Sequence, residues 1–387
     1  MKKREPFNST IRVPFYSPWI TKSDKDAVLK ALDSTQLTDG PKLREFEADF
    51  AKYTGARFAI GVSNATTALH LTLKAVGIGR GNEIIVPDMT FVATSNAVIL
   101  SGATPVFADV DKETINISIE SIKNKINSKT RAILPVHFAG KSCQMDEICK
   151  LAKKNDLLII EDCAHAIGAK YRNKHVGNFG VAGCFSFYPT KNITTIEGGM
   201  IITNSKPIAE YVTAARNHGI TKSLSQRYSH GKPWDYEMNE PGYNYRLDEV
   251  RSSLGISQLK RITKLNSMRK KAFEYYNKGL NKISDIIIPS ISKQNVDAYH
   301  LYIIRIQKNS DVSRDELFRR LLQKGIRTTV HYKPLHRFST YKKFPFDRNE
   351  LKNSEELYEE AISLPFYPNI PKKHQDYVIK NIRQIMK

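Results

Sequence analysis

The stretch Cys184-Phe185-Ser186-Phe187-Tyr188-Pro189-Thr190-Lys191-Asn192, running on to Glu197-Gly198-Gly199, decides how the rest of the chain is read. Cys184, Phe185 and Phe187 predict an apolar strand, and Pro189 ends it because proline cannot continue a central ladder. One lysine follows in a polar loop. Two glycines then permit close backbone approach before a second apolar run, Met200 to Ile202. A lysine held at the end of a buried strand loses its proton more readily than a solvated one, which suits Lys191 to act as a Schiff-base nucleophile.

Upstream of this stretch, short apolar strands alternate with amphipathic helices. Phe58 to Val62, Glu83 to Pro87, Pro105 to Asp109, Ala132 to Val136 and Leu157 to Ile160 are the expected strands. Between them lie helices over Ala65 to Val76 and Val92 to Leu100, one opened by Ser118, and one with Met145, Ile148 and Leu151 on a single face. The spacing predicts an α/β sandwich with a mostly parallel sheet. Two amphipathic helices precede it, one introduced by an acidic capping box at Ser23-Asp24-Lys25-Asp26 and one by the turn Thr38-Asp39-Gly40-Pro41. Beyond Gly199 a helix ends at Arg216-Asn217-His218-Gly219, and an aromatic-rich polar stretch covers 223–239. One long helix is expected from Leu247 through about Tyr276. The remainder carries strand signals at Tyr299 to Ile306 and Ile326 to Val330, and helix signals at Val312 to Lys324, Ser354 to Ile362 and Lys372 to Ile385. These expectations divide the chain into a large α/β domain over 14–265 and a smaller α+β domain over 266–387.

Composition narrows the function. With 387 residues, 41% hydrophobic and 26% charged, the chain is globular in character. Sixty Lys and Arg against 39 Asp and Glu leave +21, a balance that suits nucleic acid, anionic surfaces or phosphorylated small molecules. The basic residues are scattered, and no zinc-finger, RNA-binding or basic-zipper pattern accompanies them, so nucleic acid is not the expected partner. No apolar run approaches the ~18 residues of a membrane span. The start, Met1-Lys2-Lys3-Arg4 followed by Glu5 and Pro6, lacks the apolar region of a secretory signal. Four cysteines show no metal-ligand spacing, and His331 and His336 on a proline-broken loop are weak metal ligands; no metal is expected, and a reducing cytoplasm suits the chain.

Ligands of such sheets bind beyond the carboxyl ends of the strands. There the sequence places Ser63-Asn64-Ala65-Thr66-Thr67 opening a helix, Met89-Thr90-Phe91, and Glu161-Asp162-Cys163-Ala164-His165. A helix N-terminus with free N–H groups is an anion site, an aromatic can stack on a flat ring, and a carboxylate closing a buried strand needs a cationic or donor partner. Together with Lys191 this is the set pyridoxal phosphate requires. Lys191 meets its aldehyde, Asp162 keeps its ring nitrogen protonated, Ala65, Thr66 and Ser186 take its phosphate, and Phe91 and Ala164 cover its ring.

Those motifs, with Thr90-Phe91-Val92-Ala93-Thr94, Ser186-Phe187-Tyr188-Pro189-Thr190-Lys191 and Gly242-Tyr243-Asn244-Tyr245-Arg246, resemble the DegT/DnrJ/EryC1/StrS sugar aminotransferases. The resemblance runs from about Pro14 to the C-terminus. It implies the aspartate-aminotransferase-type fold (fold type I), pyridoxal phosphate as cofactor, and a homodimer with shared sites. It further implies Lys191 as Schiff-base lysine and proton shuttle, Asp162 on the pyridine nitrogen, and His165 beside the ring hydroxyl. Asn244 would reach the phosphate from the neighbouring subunit, and Tyr188, His331 and Tyr332 are candidates for substrate contact. Val136-His137-Phe138-Ala139-Gly140, Thr194-Thr195-Ile196-Glu197-Gly198-Gly199 and Val330-His331-Tyr332-Lys333-Pro334 are most similar to the branch that aminates C4 of UDP-linked 4-keto sugars with L-glutamate, the pseudaminic acid type above all. Many relatives carry Gly where this chain has Ile196, and Ala65 replaces a common Gly. Relatives acting at C3 or on dTDP- or GDP-sugars, and a non-catalytic basic binding protein on the same scaffold, are the alternatives.

Overall fold

The computed structural model describes residues 12–221, 234–238, 240–344 and 346–387, so most of the aromatic-rich stretch over 223–239 lies outside the described residues. A seven-stranded sheet forms the larger part. Its strands are β1 (Phe58–Val62), β2 (Glu83–Pro87), β3 (Thr104–Ala108), β4 (Thr130–Ile133), β5 (Leu158–Asp162), β8 (Ala182–Ser186) and β9 (Gly199–Thr203), in the order β1-β9-β8-β5-β4-β2-β3. The short hairpin β6 (Lys170–Tyr171) and β7 (Lys174–His175) interrupts the alternation. Only β9 runs against its neighbours. All six other strands therefore end on one edge of the sheet, and β9 begins there. Helices α1 (Lys22–Leu32), α2 (Pro41–Thr54), α3 (Ala65–Ala75), α4 (Val92–Leu100), α5 (Ile119–Lys125), α6 (Met145–Lys154) and α7 (Lys206–Ala215) accompany them.

The strand that leads to Lys191 is supported from below by aromatic packing. Leu43, Phe46 and Phe50 recur along one face of α2 and are buried. Phe46 and Phe50 meet Phe187 at 5.2 and 5.6 Å between ring centroids, and Phe50 meets Phe185 at 5.1 Å. Burial of each such ring contributes roughly 1.5–3 kcal/mol. The buried carboxylate of Glu249 accepts from the backbone N–H groups of Gly40, Lys42 and Leu43, completing the orphan donors at the start of α2.

A second sheet, β10 (Ile286–Ile287), β11 (Ile303–Ile306) and β12 (Ala361–Ser363), is antiparallel and has its own core of Tyr276, Tyr302, Ile304, Leu317, Val378 and Ile382. The C-terminal half of the helix Ile262–Leu280 enters this core, whereas Ile262 and Leu265 at its start pack with the large sheet. Leu335, Tyr341 and Leu351 also return to the large-sheet core.

Four local expectations are corrected. Thr21, not Ser23, caps α1, with Asp24 as the reciprocal partner three residues on. The single helix expected from Leu247 is two, Glu249–Leu259 and Ile262–Leu280, because Arg261 leaves helical geometry (φ −111°, ψ 4°) where its guanidinium pairs with the buried Asp24. Strand β11 is shorter than Tyr299 to Ile306. Tyr299 has φ 52°, and the backbone of His300 bonds to Ala139 and Arg269 instead of to a ladder. Between Ile326 and Val330 there is no strand, only isolated bridges from Ile326 to Val13 and from Thr329 to Ser363.

Ile196 stands in the left-handed region at φ 72° with 63% of its surface exposed. That conformation costs a residue with a side chain about 1–2 kcal/mol, against about 0.5–1 kcal/mol for the greater unfolded freedom of glycine. Ile196→Gly is therefore expected to stabilise the protein by about 0.5–1 kcal/mol, seen as a higher urea midpoint. An equal or lower midpoint would mean that the isoleucine side chain is held by contacts worth more than the strain.

Candidate active site

The convergent edge of the sheet gathers the residues singled out above. Register puts Ser186 opposite Gly199, and Gly199 opposite Val62 on its other side. Adjacent strands lie about 4.8 Å apart, so Ser186 lies two strand spacings from the point where β1 passes into α3, with Gly199 between. Gly199 makes this approach possible, since a Cβ there would stand 2.5 Å from the carbonyl of Asn64 and 2.8 Å from the nitrogen of Ala65. Asn64 caps α3 by accepting from Thr67 N–H at 2.9 Å. The N–H groups of Ala65 and Thr66 are left without acceptors among the described residues. This is an anion cradle of the helix-terminus kind.

Next to β8, β5 ends in Asp162, whose side chain is buried. One oxygen accepts from Thr94 Oγ1 at 2.8 Å and the other from Ala164 N–H at 3.1 Å. Thr94 shares a 3.0 Å hydrogen bond with Thr90. Burial pushes the Asp162 carboxyl up despite these two donors and the nearby Lys191 charge. A carboxylate in that condition is short of a cation.

His165 follows one turn later. Its Nδ1 accepts from Ala139 N–H at 3.3 Å, which assigns the proton to Nε2, and Nε2 then donates to the Tyr332 hydroxyl at 3.2 Å. Burial, with Lys191 and His331 adding like charge, holds its pKa well below the ordinary histidine value, so the ring is neutral. The His300 ring lies 4.4 Å from that of His165.

Lys191 is half-buried, and its backbone N–H closes a turn onto Tyr188 O at 2.9 Å. Desolvation by burial lowers its pKa to about 8; Asp162 opposes that change and Arg269 adds to it. The lysine loop is anchored on both sides. Asn192 donates to Asn266 Oδ1 and Ala298 O, both at 2.7 Å. Arg269, itself buried, donates to His300 O at 3.1 Å and, more weakly, to Tyr299 O and Thr190 O at 3.5 Å. No carboxylate pairs with Arg269 among the described residues, and its Nε has no acceptor. Thr94, Asn192, Arg269 and His300 carried no assignment from the sequence, because each acts through partners dozens of residues away.

The other sequence candidates fall around this centre. Phe91 caps α4, is 55% exposed and lies 5.8 Å from the Tyr332 ring, so it lies on the open side. Ala164 follows Asp162 and donates to it. Tyr188 is exposed just before the lysine loop. His331 bonds through Nδ1 to Ser363 Oγ at 2.8 Å. Asn244 is exposed and bridges to Asn217, with no contact to Lys191 or Ser186 within its own chain.

Two further buried groups support the edge. Glu161 accepts from the N–H groups of Gly177, Phe179 and Gly180 and from His137 Nε2 at 3.0 Å. His137, Glu161 and Cys163 are close enough to suggest a metal. However, His137 Nδ1 accepts from Cys143 N–H, the Glu161 oxygens are filled by donors, and burial holds the Cys163 thiol far up. Hydrogen bonds occupy both His137 nitrogens and both Glu161 oxygens. His336 sits between Asp88, at the end of β2, and Glu355, which raises its pKa against the opposing pull of burial and clamps the 331–337 segment to the sheet. The sequence-paired His331 and His336 thus face different partners.

An anion cradle, a buried carboxylate short of a cation and a lysine made nucleophilic by burial match the phosphate, ring nitrogen and aldehyde of pyridoxal phosphate. Residues 18–383 match the sequence pattern of the DegT/DnrJ/EryC1/StrS aminotransferase family. The chain is 37% identical over 378 residues to the spore coat polysaccharide biosynthesis protein SpsC of Bacillus subtilis, with 97% of each chain covered. It is similar in structure to Helicobacter pylori PseC, an aminotransferase involved in the biosynthesis of pseudoaminic acid, at 33% identity and a TM-score of 0.90, covering 97% of this chain and 99% of that one. Spr1654 of Streptococcus pneumoniae, solved in its PMP form, gives 30% identity and a TM-score of 0.91 with 97% and 99% coverage. The fold is accordingly the aspartate-aminotransferase type, fold type I. The chain belongs to the DegT/DnrJ/EryC1/StrS aminotransferase family and is a pyridoxal-phosphate-dependent sugar aminotransferase.

Proposed function

We propose that the enzyme transfers the amino group of L-glutamate to the C4 keto group of a UDP-linked 4-keto-6-deoxy hexose or N-acetylhexosamine, for surface polysaccharide or glycan synthesis. The observation that carries the catalytic part is the lysine whose pKa burial lowers to about 8 beside a buried carboxylate at the tip of β5. Similarity to PseC over nearly both whole chains supports the sugar class, and similarity to SpsC supports polysaccharide synthesis. The scattered excess of positive charge favours encounter with a diphosphate-linked sugar and a dicarboxylic amino acid. Among the described residues no helix is long and apolar enough to cross a membrane.

Bound pyridoxal phosphate supplies the electron sink and carries the amino group between the two substrates. Lys191 would hold it through its ε-amine. Once displaced, its amine takes the α-proton of glutamate, and in the return half-reaction it delivers a proton at C4 of the sugar. Asp162 keeps a proton on the ring nitrogen, oriented by Thr94 and the Ala164 amide. Ser186 and the amides of Ala65 and Thr66 hold the phosphate. His165, kept neutral and turned by Ala139 and Tyr332, would meet the ring hydroxyl. Phe91 and Ala164 cover the ring, Tyr188, His331 and Tyr332 border the sugar, and Asn244 completes the phosphate site of a partner subunit in a homodimer.

Mixing the enzyme with glutamate and the UDP-, dTDP- and GDP-linked forms of one 4-keto-6-deoxy-N-acetylhexosamine, with products identified by mass and NMR, tests the substrate. The UDP form is expected to give a C4 amine with kcat/KM at least about tenfold above the others, and Lys191→Ala to give none. Faster turnover of the dTDP or GDP form, or amination at C3, would move the enzyme to another branch. The lysine itself is tested in cofactor-free protein. Only the neutral amine reacts, so capture of added pyridoxal phosphate should quicken with rising pH and level off above about 8. In Arg269→Met the midpoint should move upward, since a buried like charge has gone. An unshifted midpoint would remove Arg269 from the account.

A further inference from the structure

The segment over 329–336, which carries His331 and Tyr332, is pinned at both ends. At the first end Thr329 and Ser363 of β12 exchange backbone hydrogen bonds at 3.2 and 2.8 Å, and His331 Nδ1 meets Ser363 Oγ at 2.8 Å. At the second stands His336, 2% exposed, with Asp88 Oδ2 2.7 Å from its Nδ1 and Glu355 Oε1 against its Nε2. A neutral imidazole carries one N–H and can donate to only one of these carboxylates. Arg337 holds the Glu355 pKa down to about 2, so Glu355 brings no proton of its own. An imidazolium is therefore the form that serves both partners. Burial opposes its charge, but Asp88 and Glu355 together raise its pKa above the ordinary histidine value. The other charges of this cluster lie on the outer side: Arg337 pairs with Glu355 and Glu359, and Arg348 stands 3.9 Å from Glu355.

The two carboxylates belong to different walls. Asp88 follows β2 and precedes Phe91 by three residues, while Tyr332 precedes His336 by four. The Phe91 and Tyr332 rings stand 5.8 Å apart on the open side of the site. Glu355 belongs to the helix Lys352–Glu360, which runs directly into β12 and so to Ser363 at the other end of the segment. We propose that His336 is a positioning residue that, joined to Asp88 and Glu355, fixes the gap between Phe91 and Tyr332 and thereby the fit of the sugar. The proposal rests on the reading that Tyr332 borders the sugar, but not on which nucleotide the sugar bears. Removing one member of a buried ion pair leaves the other charge uncompensated. In His336→Gln that charge is Asp88, and its backbone carbonyl and Oδ1 still accept from the N–H groups of residues 335 and 336. The segment is thus expected to shift against the sheet rather than to leave it.

Nitrogen NMR of the cofactor-free protein with labelled histidine tests the charge. The signal lost in His336→Gln should show both ring nitrogens protonated up to about pH 8, where an ordinary histidine of pKa ~6.5 is neutral. In Glu355→Gln the same signal should lose its proton at lower pH. A His336 ring already neutral at about pH 7 would overturn the proposal. Steady-state kinetics with whichever keto sugar the wild type aminates tests the role, so failure of the UDP assignment and failure of this proposal read out separately. In His336→Gln the sugar KM should rise about tenfold, kcat should fall less than about threefold, and the glutamate KM should change less than the sugar KM. Equal changes in the two KM values, or a loss confined to kcat, would overturn it. Should His336→Gln fail to fold, Glu355→Gln, whose side chain is partly exposed, decides by the same comparison, with a rise in sugar KM of about threefold expected.

Discussion

One buried carboxylate short of a cation governs this structure. Asp162 closes a strand whose neighbours are apolar, so water cannot solvate it, and Thr94 and the Ala164 amide meet only part of its need. Taking an ionised carboxylate out of water costs several kcal/mol unless a partner compensates. The protein does not provide that partner as a paired arginine. The lysine whose charge acts on it, Lys191, is itself drawn toward neutrality by burial. The charge that satisfies Asp162 is therefore expected on the ligand, and a protonated heterocycle would supply it.

The surroundings of Lys191 show the same trade from the other side. Attraction to Asp162 alone would hold the ammonium charged and inert. Desolvation outweighs that attraction, and the unpaired guanidinium of Arg269 adds to it. Arg269 also binds the carbonyl preceding Lys191 and the carbonyl of His300, whose ring packs on His165. A single cation on the helix Ile262–Leu280 thus joins the lysine loop, the His165–His300 ring pair and the segment that leads into the second sheet. The Asp88–His336–Glu355 clamp performs a similar service for the 331–337 segment.

Much of this edge could be read from the chain because its elements announce themselves locally. Strands β1, β2, β5 and β8 are short apolar runs closed by polar or proline residues, and the chemistry sits in the residue or two after each. Lys191, Asp162 and the α3 cap are visible for that reason. Arg269, Asn192, Thr94 and His300 were not, since nothing in a helix face or a loop reveals which distant carbonyl it will meet. The break at Arg261 was hidden too, because the apolar period continues through it and only the buried Asp24 explains the kink. The late start of β11 has the same origin, backbone groups of 299–300 being claimed by Ala139 and Arg269. Propensity places elements, but tertiary hydrogen bonds trim them.

The central claim is that Asp162 keeps the ring nitrogen protonated. Nitrogen NMR of the enzyme loaded with pyridoxal phosphate labelled at that nitrogen observes it directly, in wild type and in Asp162→Asn. A protonated nitrogen across neutral pH in wild type, and an unprotonated one in the variant, is the predicted result. The same nitrogen shift in both proteins would contradict the account.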